Sequence, residues 1–269
     1  MEDTQSQDIQ SSFESSFQSQ CLKALQLAKS APTYPLPSVS HLTYKDYAHV
    51  YEPSDDTFLL IDAIYHDVPP SLSASSREDG DMVVTVELGC GSGVNVAAIA
   101  KAVRGARGEG GGGGKFYATD VNEVAAKTTE RTIEENGPWG EDEGFGVFVV
   151  DLLGEDSAPP PPFWDGPGVD FCVFNPPYVP TPDDEVGGNG IEASWAGGLD
   201  GRVVIDRALG QIGRVLRGGG GVCYMITVDD NRPEELMRIM KEEHGLEGGV
   251  LMRRKARNEM LSVLKFVKP

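Results

Sequence analysis

Hydrophobic residues fall along this chain in short unbroken runs, each followed by a longer stretch in which they recur every three or four positions. The runs at 82–88, 115–119, 146–150, 169–174 and 222–227 are apolar on successive residues, as strands buried on both faces of a parallel sheet are. The stretches at 55–65, 94–103, 122–136, 201–217 and 233–244 carry helical spacing. In the fourth of these, Ile205, Leu209, Ile212 and Leu216 mark one helix face and Gly218 ends it. Such alternation predicts crossover helices on both sides of one sheet. Two further runs, 249–254 and 261–267, are joined by a charged connection and predict an antiparallel pair. The expected fold is α/β: seven-stranded and doubly wound, mostly parallel with an antiparallel C-terminal strand pair.

Residues outside this pattern change the picture little. The first twenty are rich in Ser and Gln with almost nothing to bury, which predicts disorder. Leu22, Leu25 and Ala28 support only a helical turn or two. Residues 1–32 therefore read as a disordered or weakly helical segment and 33–269 as a single domain. The glycine run at 105–114 and the proline run at 157–162 read as surface insertions. A formal charge of -19, from 42 acidic against 23 basic residues, opposes binding to a phosphate backbone. Cys21, Cys90, Cys172 and Cys223 form neither a CxxC pair nor a disulfide framework. No metal site is expected, and a reducing, intracellular setting is. The N-terminal residues lack the basic flank and apolar centre of a signal peptide. No run approaches the roughly 20 apolar residues of a membrane span. The expected location is cytoplasmic, with nuclear residence also open.

Candidate chemistry begins where the first strand turns into a helix, at Glu87-Leu88-Gly89-Cys90-Gly91-Ser92-Gly93. Gly89, Gly91 and Gly93 let backbone amides approach a ligand at a helix N-terminus. A dinucleotide fingerprint requires GxGxxG, but Val94 occupies its third glycine position. The form resembles instead the first motif of S-adenosylmethionine-dependent enzymes. Asp120 follows the second strand, where a carboxylate can accept hydrogen bonds from both ribose hydroxyls. Asp151 and Leu152 follow the third, and the resemblance implies that they hold the adenine edge. Glu87 is expected near the methionine portion, answering its ammonium. Any one of these acids alone reads equally well as a helix cap.

The fourth strand opens into Asn175-Pro176-Pro177-Tyr178. A nitrogen whose lone pair is delocalised into an amide or an aromatic ring is a poor nucleophile, so orientation must supply much of the rate. The Asn175 side-chain carbonyl and the Pro176 backbone carbonyl can each accept one N–H of a substrate NH2. The tandem prolines stiffen that backbone, and Tyr178 offers a flat face for stacking. A tetrad of this form serves adenine amino groups and glutamine side-chain amides alike.

Further segments narrow the choice: Tyr51-Glu52-Pro53-Ser54-Asp55-Asp56-Thr57-Phe58-Leu59-Leu60, Gly190-Ile191-Glu192-Ala193-Ser194-Trp195-Ala196-Gly197-Gly198 and Leu261-Ser262-Val263-Leu264-Lys265-Phe266. With the tetrad they resemble the eukaryotic and archaeal HemK-like glutamine methyltransferases, which modify the class 1 translation release factor. Asp55-Asp56 departs from the Glu-Asp form of that family. The resemblance implies a Rossmann-like class I methyltransferase sheet, S-adenosyl-L-methionine as cofactor and N5-methylation of the glutamine in a Gly-Gly-Gln loop. It further implies that Thr57 touches the cofactor and that Tyr51 and the 190–198 loop shape the substrate mouth, while Trp195 reads equally as core. A small zinc-binding activator subunit is implied as well. The expected sheet order leaves strand 146–150 at an edge, with Phe145, Val147, Phe148, Val149 and Val150 open to strand addition unless the N-terminal segment covers them. Adenine-N6 methylation of DNA or RNA, lysine methylation, and a non-catalytic cofactor-binding role remain alternatives. No target-recognition domain or basic groove supports the nucleic-acid reading, since Arg253, Arg254, Lys255 and Arg257 form only a short cluster.

Overall fold

In a computed structural model, residues 2–32, 34–76, 81–108, 113–155, 157, 161–166 and 168–269 are described, with side chains described from Glu14 onward. Seven strands, β1 (Val83–Leu88), β2 (Gly114–Asp120), β3 (Glu143–Val149), β4 (Phe171–Phe174), β5 (Gly221–Thr227), β6 (Glu247–Ala256) and β7 (Glu259–Lys268), form one sheet. Their spatial order is β3-β2-β1-β4-β5-β7-β6. The first five run parallel, β7 runs antiparallel to β5, and β6 antiparallel to β7. This is the doubly wound, mostly parallel architecture that the hydrophobic runs predict, with its antiparallel C-terminal pair. The three central strands β1, β4 and β5 are buried at every position, which is why their sequences are continuously apolar.

Side-chain alternation divides the core into two layers. Val83, Phe116, Phe171, Val173 and Tyr224 face α2 (Asp55–Ala74), α3 (Val94–Arg107) and α4 (Glu123–Glu135). Val86, Leu88, Cys172, Phe174 and Met225 face α5 (Val203–Val215) and α6 (Pro233–His244). β4 is shorter than the expected 169–174. Val169 makes only a single bridge to Leu216, and the Asp170 carboxylate takes the Val84 N–H at 2.8 Å. α2 runs past the expected end at 65 and through Pro69 and Pro70. Asp67 anchors this second half, accepting from Tyr224 Oη at 2.8 Å and Ser71 Oγ at 2.7 Å and pairing with Lys265 at 2.7 Å. Tertiary contacts thus outweigh the helix-breaking tendency of two prolines.

The N-terminal segment is a helix, α1 (Glu2–Ser30), where composition predicts disorder to about residue 20 and a turn or two beyond. The reason is a docking surface that composition does not reveal. Phe17 packs against one core layer, Leu27 and Ala28 against the other, and Ala24 is buried. Gln20 Oε1 accepts the Val250 N–H at 3.1 Å, so α1 caps the edge of β6. The opposite edge, β3, has no strand on its outer side among the described residues. Its larger side chains pack inward: Phe145 stacks on Phe116 with ring centroids 5.1 Å apart, and Phe148 lies against Tyr117. Val149 is 52% exposed. Residues 109–112 of the glycine insertion and 158–160 of the proline insertion lie outside the described residues.

Candidate active site

Parallel register decides where the site falls. Leu88 is opposite Phe174 on β4 and Thr119 on β2, and Asp120 is opposite Val149 on β3. The turns after β1, β2, β3 and β4 therefore leave the sheet at one rim, beside the point where strand order reverses between β1 and β4. A cavity of about 370 Å³ opens there, within the size range of small-molecule sites.

The turn after β1 forms its floor. Gly89, Gly91 and Gly93 have φ of 64°, 50° and 78°, a region glycine adopts without strain. A Cβ on Gly89 or Gly91 would meet no protein atom within 4 Å, whereas one on Gly93 would lie 2.7 Å from Thr129 Cα. The first two glycines thus adjoin open space, and the third permits close packing of α4. Thr129 Oγ1 and Thr132 Oγ1 of α4 donate to the Gly91 and Ser92 carbonyls at 3.3 and 2.6 Å, strapping the turn from below. Asp120 completes it, with Oδ2 taking the Gly91 N–H at 2.9 Å and Oδ1 the Asn122 N–H at 2.8 Å. Burial raises the Asp120 carboxyl above its ordinary range, and those backbone N–H groups pull the other way.

Of the residues singled out in the sequence, Thr57, Gly89, Gly91, Asp120, Asp151, Leu152, Asn175 and Pro177 line this cavity, as does Tyr51. Asp151 is ion-paired with Arg207 of α5, which lines the cavity too. Leu152 is buried with φ of 49°. Glu87, Gly93, Pro176 and Tyr178 do not line it. Glu87 falls on the α3 side of β1, fully buried, where Oε1 accepts from Asn95 Nδ2 at 3.0 Å and Oε2 has no partner. Burial pushes its carboxyl up to about 8. Asn95 is what reaches the cavity, and its buried Oδ1 is unpartnered. Sequence reasoning missed Asn95 and Arg207, since the first turn of a helix and the middle of an amphipathic one give no chemical signal of their own.

The tetrad is held from behind. Asn231 Nδ2 donates to the Tyr178 and Asp200 carbonyls, both at 2.9 Å. Gly201 packs so closely that a Cβ would sit 1.9 Å from the Tyr178 carbonyl oxygen. A bridge from Val179 to Ala196 returns the 190–198 loop to the site, where Gly190, Ile191, Ala193, Ser194 and Ala196 form a wall. Trp195, at 38% exposure, is neither core nor wall. Tyr178 turns its ring to a neighbouring recess of about 300 Å³ shared with Tyr51, Asp56 and Glu259. Burial and then the nearby Asp56 charge raise both tyrosine hydroxyls, Tyr51 to about 12 and Tyr178 further.

Asn175 makes one side-chain hydrogen bond, from Nδ2 to Asp56 Oδ2 at 3.1 Å, and its Oδ1 is buried without a partner. An unmet buried carbonyl costs on the order of 1–3 kcal/mol, and folded proteins leave few such groups. At the rim of a cavity this one is an acceptor waiting for a donor. The arrangement suits a flat NH2 group placed between Asn175 and the glycine turn.

No protein-family profile matches the chain. It is 38% identical to the Mus musculus "Methyltransferase HEMK2" over 238 residues, covering 88% of this chain and 99% of that protein. It is 30% identical to the "eRF1 methyltransferase catalytic subunit mtq2" of Schizosaccharomyces pombe over 236 residues, covering 86% and 94%. Among solved structures, a chain of the E. cuniculi Mtq2-Trm112 complex, described as responsible for methylation of the eRF1 translation termination factor, superposes with a TM-score of 0.50. That chain is 26% identical, and the match covers 82% of this chain and 99% of that one.

Proposed function

The chain belongs to the HemK-like glutamine methyltransferases, and from that premise we propose that it transfers a methyl group from S-adenosyl-L-methionine to the side-chain amide nitrogen of the glutamine in the Gly-Gly-Gln motif of the class 1 translation release factor. The observation that carries this reading is the unpartnered Asn175 Oδ1 at the same cavity as the Gly89–Gly91 turn. The residues fit the cofactor: open space lies above Gly89 and Gly91, Asp120 stands at the end of β2, and Asn95 Oδ1 is a second unmet acceptor.

Bound S-adenosylmethionine supplies a methyl carbon made electrophilic by its sulfonium. The chain supplies position. Asn175 Oδ1 accepts an N–H of the substrate amide and turns its lone pair toward that carbon, while Pro176, which does not line the cavity, stiffens the backbone beside it. Holding reactants so can lower a barrier by about 7–11 kcal/mol in favourable cases. Asp120 would accept from the ribose hydroxyls, and Asp151, ion-paired with Arg207, would hold the adenine edge together with the Leu152 N–H. Glu87 would act through Asn95, whose unpartnered Oδ1 would accept from the cofactor's ammonium. The nitrogen becomes acidic as it is methylated and needs no strong base.

The relatives' names support a small activator subunit of the Trm112 kind, zinc-binding by family resemblance. β3 is the edge proposed for it, because α1 already covers β6. The test is peptide mass spectrometry after incubation with cofactor, activator and release factor, alongside a filter assay with radiolabelled cofactor on DNA and RNA. A gain of one methyl on the Gly-Gly-Gln glutamine is expected; label on nucleic acid with none on the factor would overturn the reading.

A further inference from the structure

Asp56 is a buried carboxylate with hydrogen-bond donors on both oxygens. It is 3% exposed and lies in the first turn of α2. Oδ1 takes the Thr57 N–H at 2.7 Å, the Thr57 hydroxyl at 3.2 Å and, at the longer distance of 3.4 Å, Tyr51 Oη. Oδ2 takes Asn175 Nδ2 at 3.1 Å, Tyr178 Oη at 3.2 Å and Tyr51 Oη at 3.2 Å. The shortest bonds of one oxygen fasten the acid to its own helix, and the other oxygen reaches a loop 119 positions away. A capping role accounts for the first oxygen and leaves the second unexplained.

An asparagine amide is nearly symmetrical in shape and opposite in chemistry at its two ends, carbonyl against NH2. Half a turn about its terminal torsion exchanges them, and shape alone hardly prefers either. For a substrate NH2 the exchange is decisive, since only the carbonyl end can accept from it. We infer that Asp56 is a positioning residue that fixes this choice: by claiming Nδ2 of Asn175, it leaves Oδ1 as the group presented to the substrate. Oδ1 is the atom found buried and unpartnered at the cavity. The two tyrosine hydroxyls hold the carboxylate in place from the recess side. The inference rests on the proposed amide acceptor and adds to it the group that sets the acceptor's polarity.

Asp56→Asn tests it, because the new amide can turn an NH2 toward Asn175 and no longer demands a donor there. With the activator complex and release factor, kcat is expected to fall about tenfold or more, with the KM for release factor and the Kd for cofactor within about twofold of wild type. Tyr51→Phe removes one donor from the same carboxylate, spares the bond to Asn175, and is expected to lose less. Equal losses in the two variants would show that the acid serves the tyrosines and would overturn the inference, as would a wild-type kcat in folded Asp56→Asn. Nitrogen–proton spectra give a reading that needs no turnover and does not depend on the Asp56 variant. The Asn175 side-chain NH2, assigned by its disappearance in Asn175→Ala, should show one slowly exchanging proton in the wild-type complex; rapid exchange of both would also sink the claim. A protected Asn175 amide in an enzyme that leaves release factor unmodified would refute the proposed substrate and leave the positioning role standing.

Discussion

Two asparagines share one arrangement at this site. Asn95 and Asn175 each commit Nδ2 to a buried carboxylate, Glu87 and Asp56, and each leaves Oδ1 unmet at the same cavity. Replacing Asn175 with Ala should lower kcat on the order of a hundredfold or more, as losses of preorganised polar groups do, with little change in cofactor affinity. Asp120→Asn should do the reverse. A weakened bond to a charged group is worth about 1.5–3 kcal/mol, or roughly ten- to a hundredfold in the calorimetric Kd. Glu87 gives a pH signature. Its folded value of about 8 lies above the ordinary 4.5, so the folded chain holds the proton more tightly than the unfolded one. Stability from this group is complete below the unfolded value and drains away as pH rises toward and through about 8. Glu87→Gln, which imitates the protonated form, should melt like wild type at acidic pH and several degrees higher near pH 8 without cofactor; parallel curves would show that the group titrates normally.

At the scale of elements, what the sequence predicted and what it hid divide by physical cause. Periodicity records burial, so all seven strands and five helices were legible, and the glycine turn and the tetrad announced themselves by composition. Register then followed from the strands, since parallel pairing brings the ends of β1 and β4 to the same rim. What escaped depends on contacts between distant segments. α1 forms because the β6 edge receives it, α2 survives Pro69 and Pro70 because Asp67 is anchored on β5 and β7, and Glu87 turns away from the cavity because alternation along β1 carries it to α3. The edge of β3 yields a prediction at this scale. Val149→Asp puts a charge on a strand that needs an apolar partner surface, and it should leave the fold intact while reducing copurification of the activator at least tenfold. Undiminished copurification would place the partner elsewhere.

For the molecule as a whole, the site depends on four strand ends meeting at one rim of a sheet whose three central strands are buried throughout. The charge of -19 fits a protein substrate with basic character better than a phosphate chain. On the proposed reading cofactor and substrate share a single crevice, between the turn after β1 and the loop after β4, with Asn95 and Asn175 both in its lining. The helix lying along β6 has a last consequence, for stoichiometry. A sheet with two bare margins can grow at both and polymerise, whereas among the described residues only the β3 margin of this one is left without a neighbour. Strand addition is therefore open at one margin, so the proposed activator and a second copy of the chain would compete for the same place.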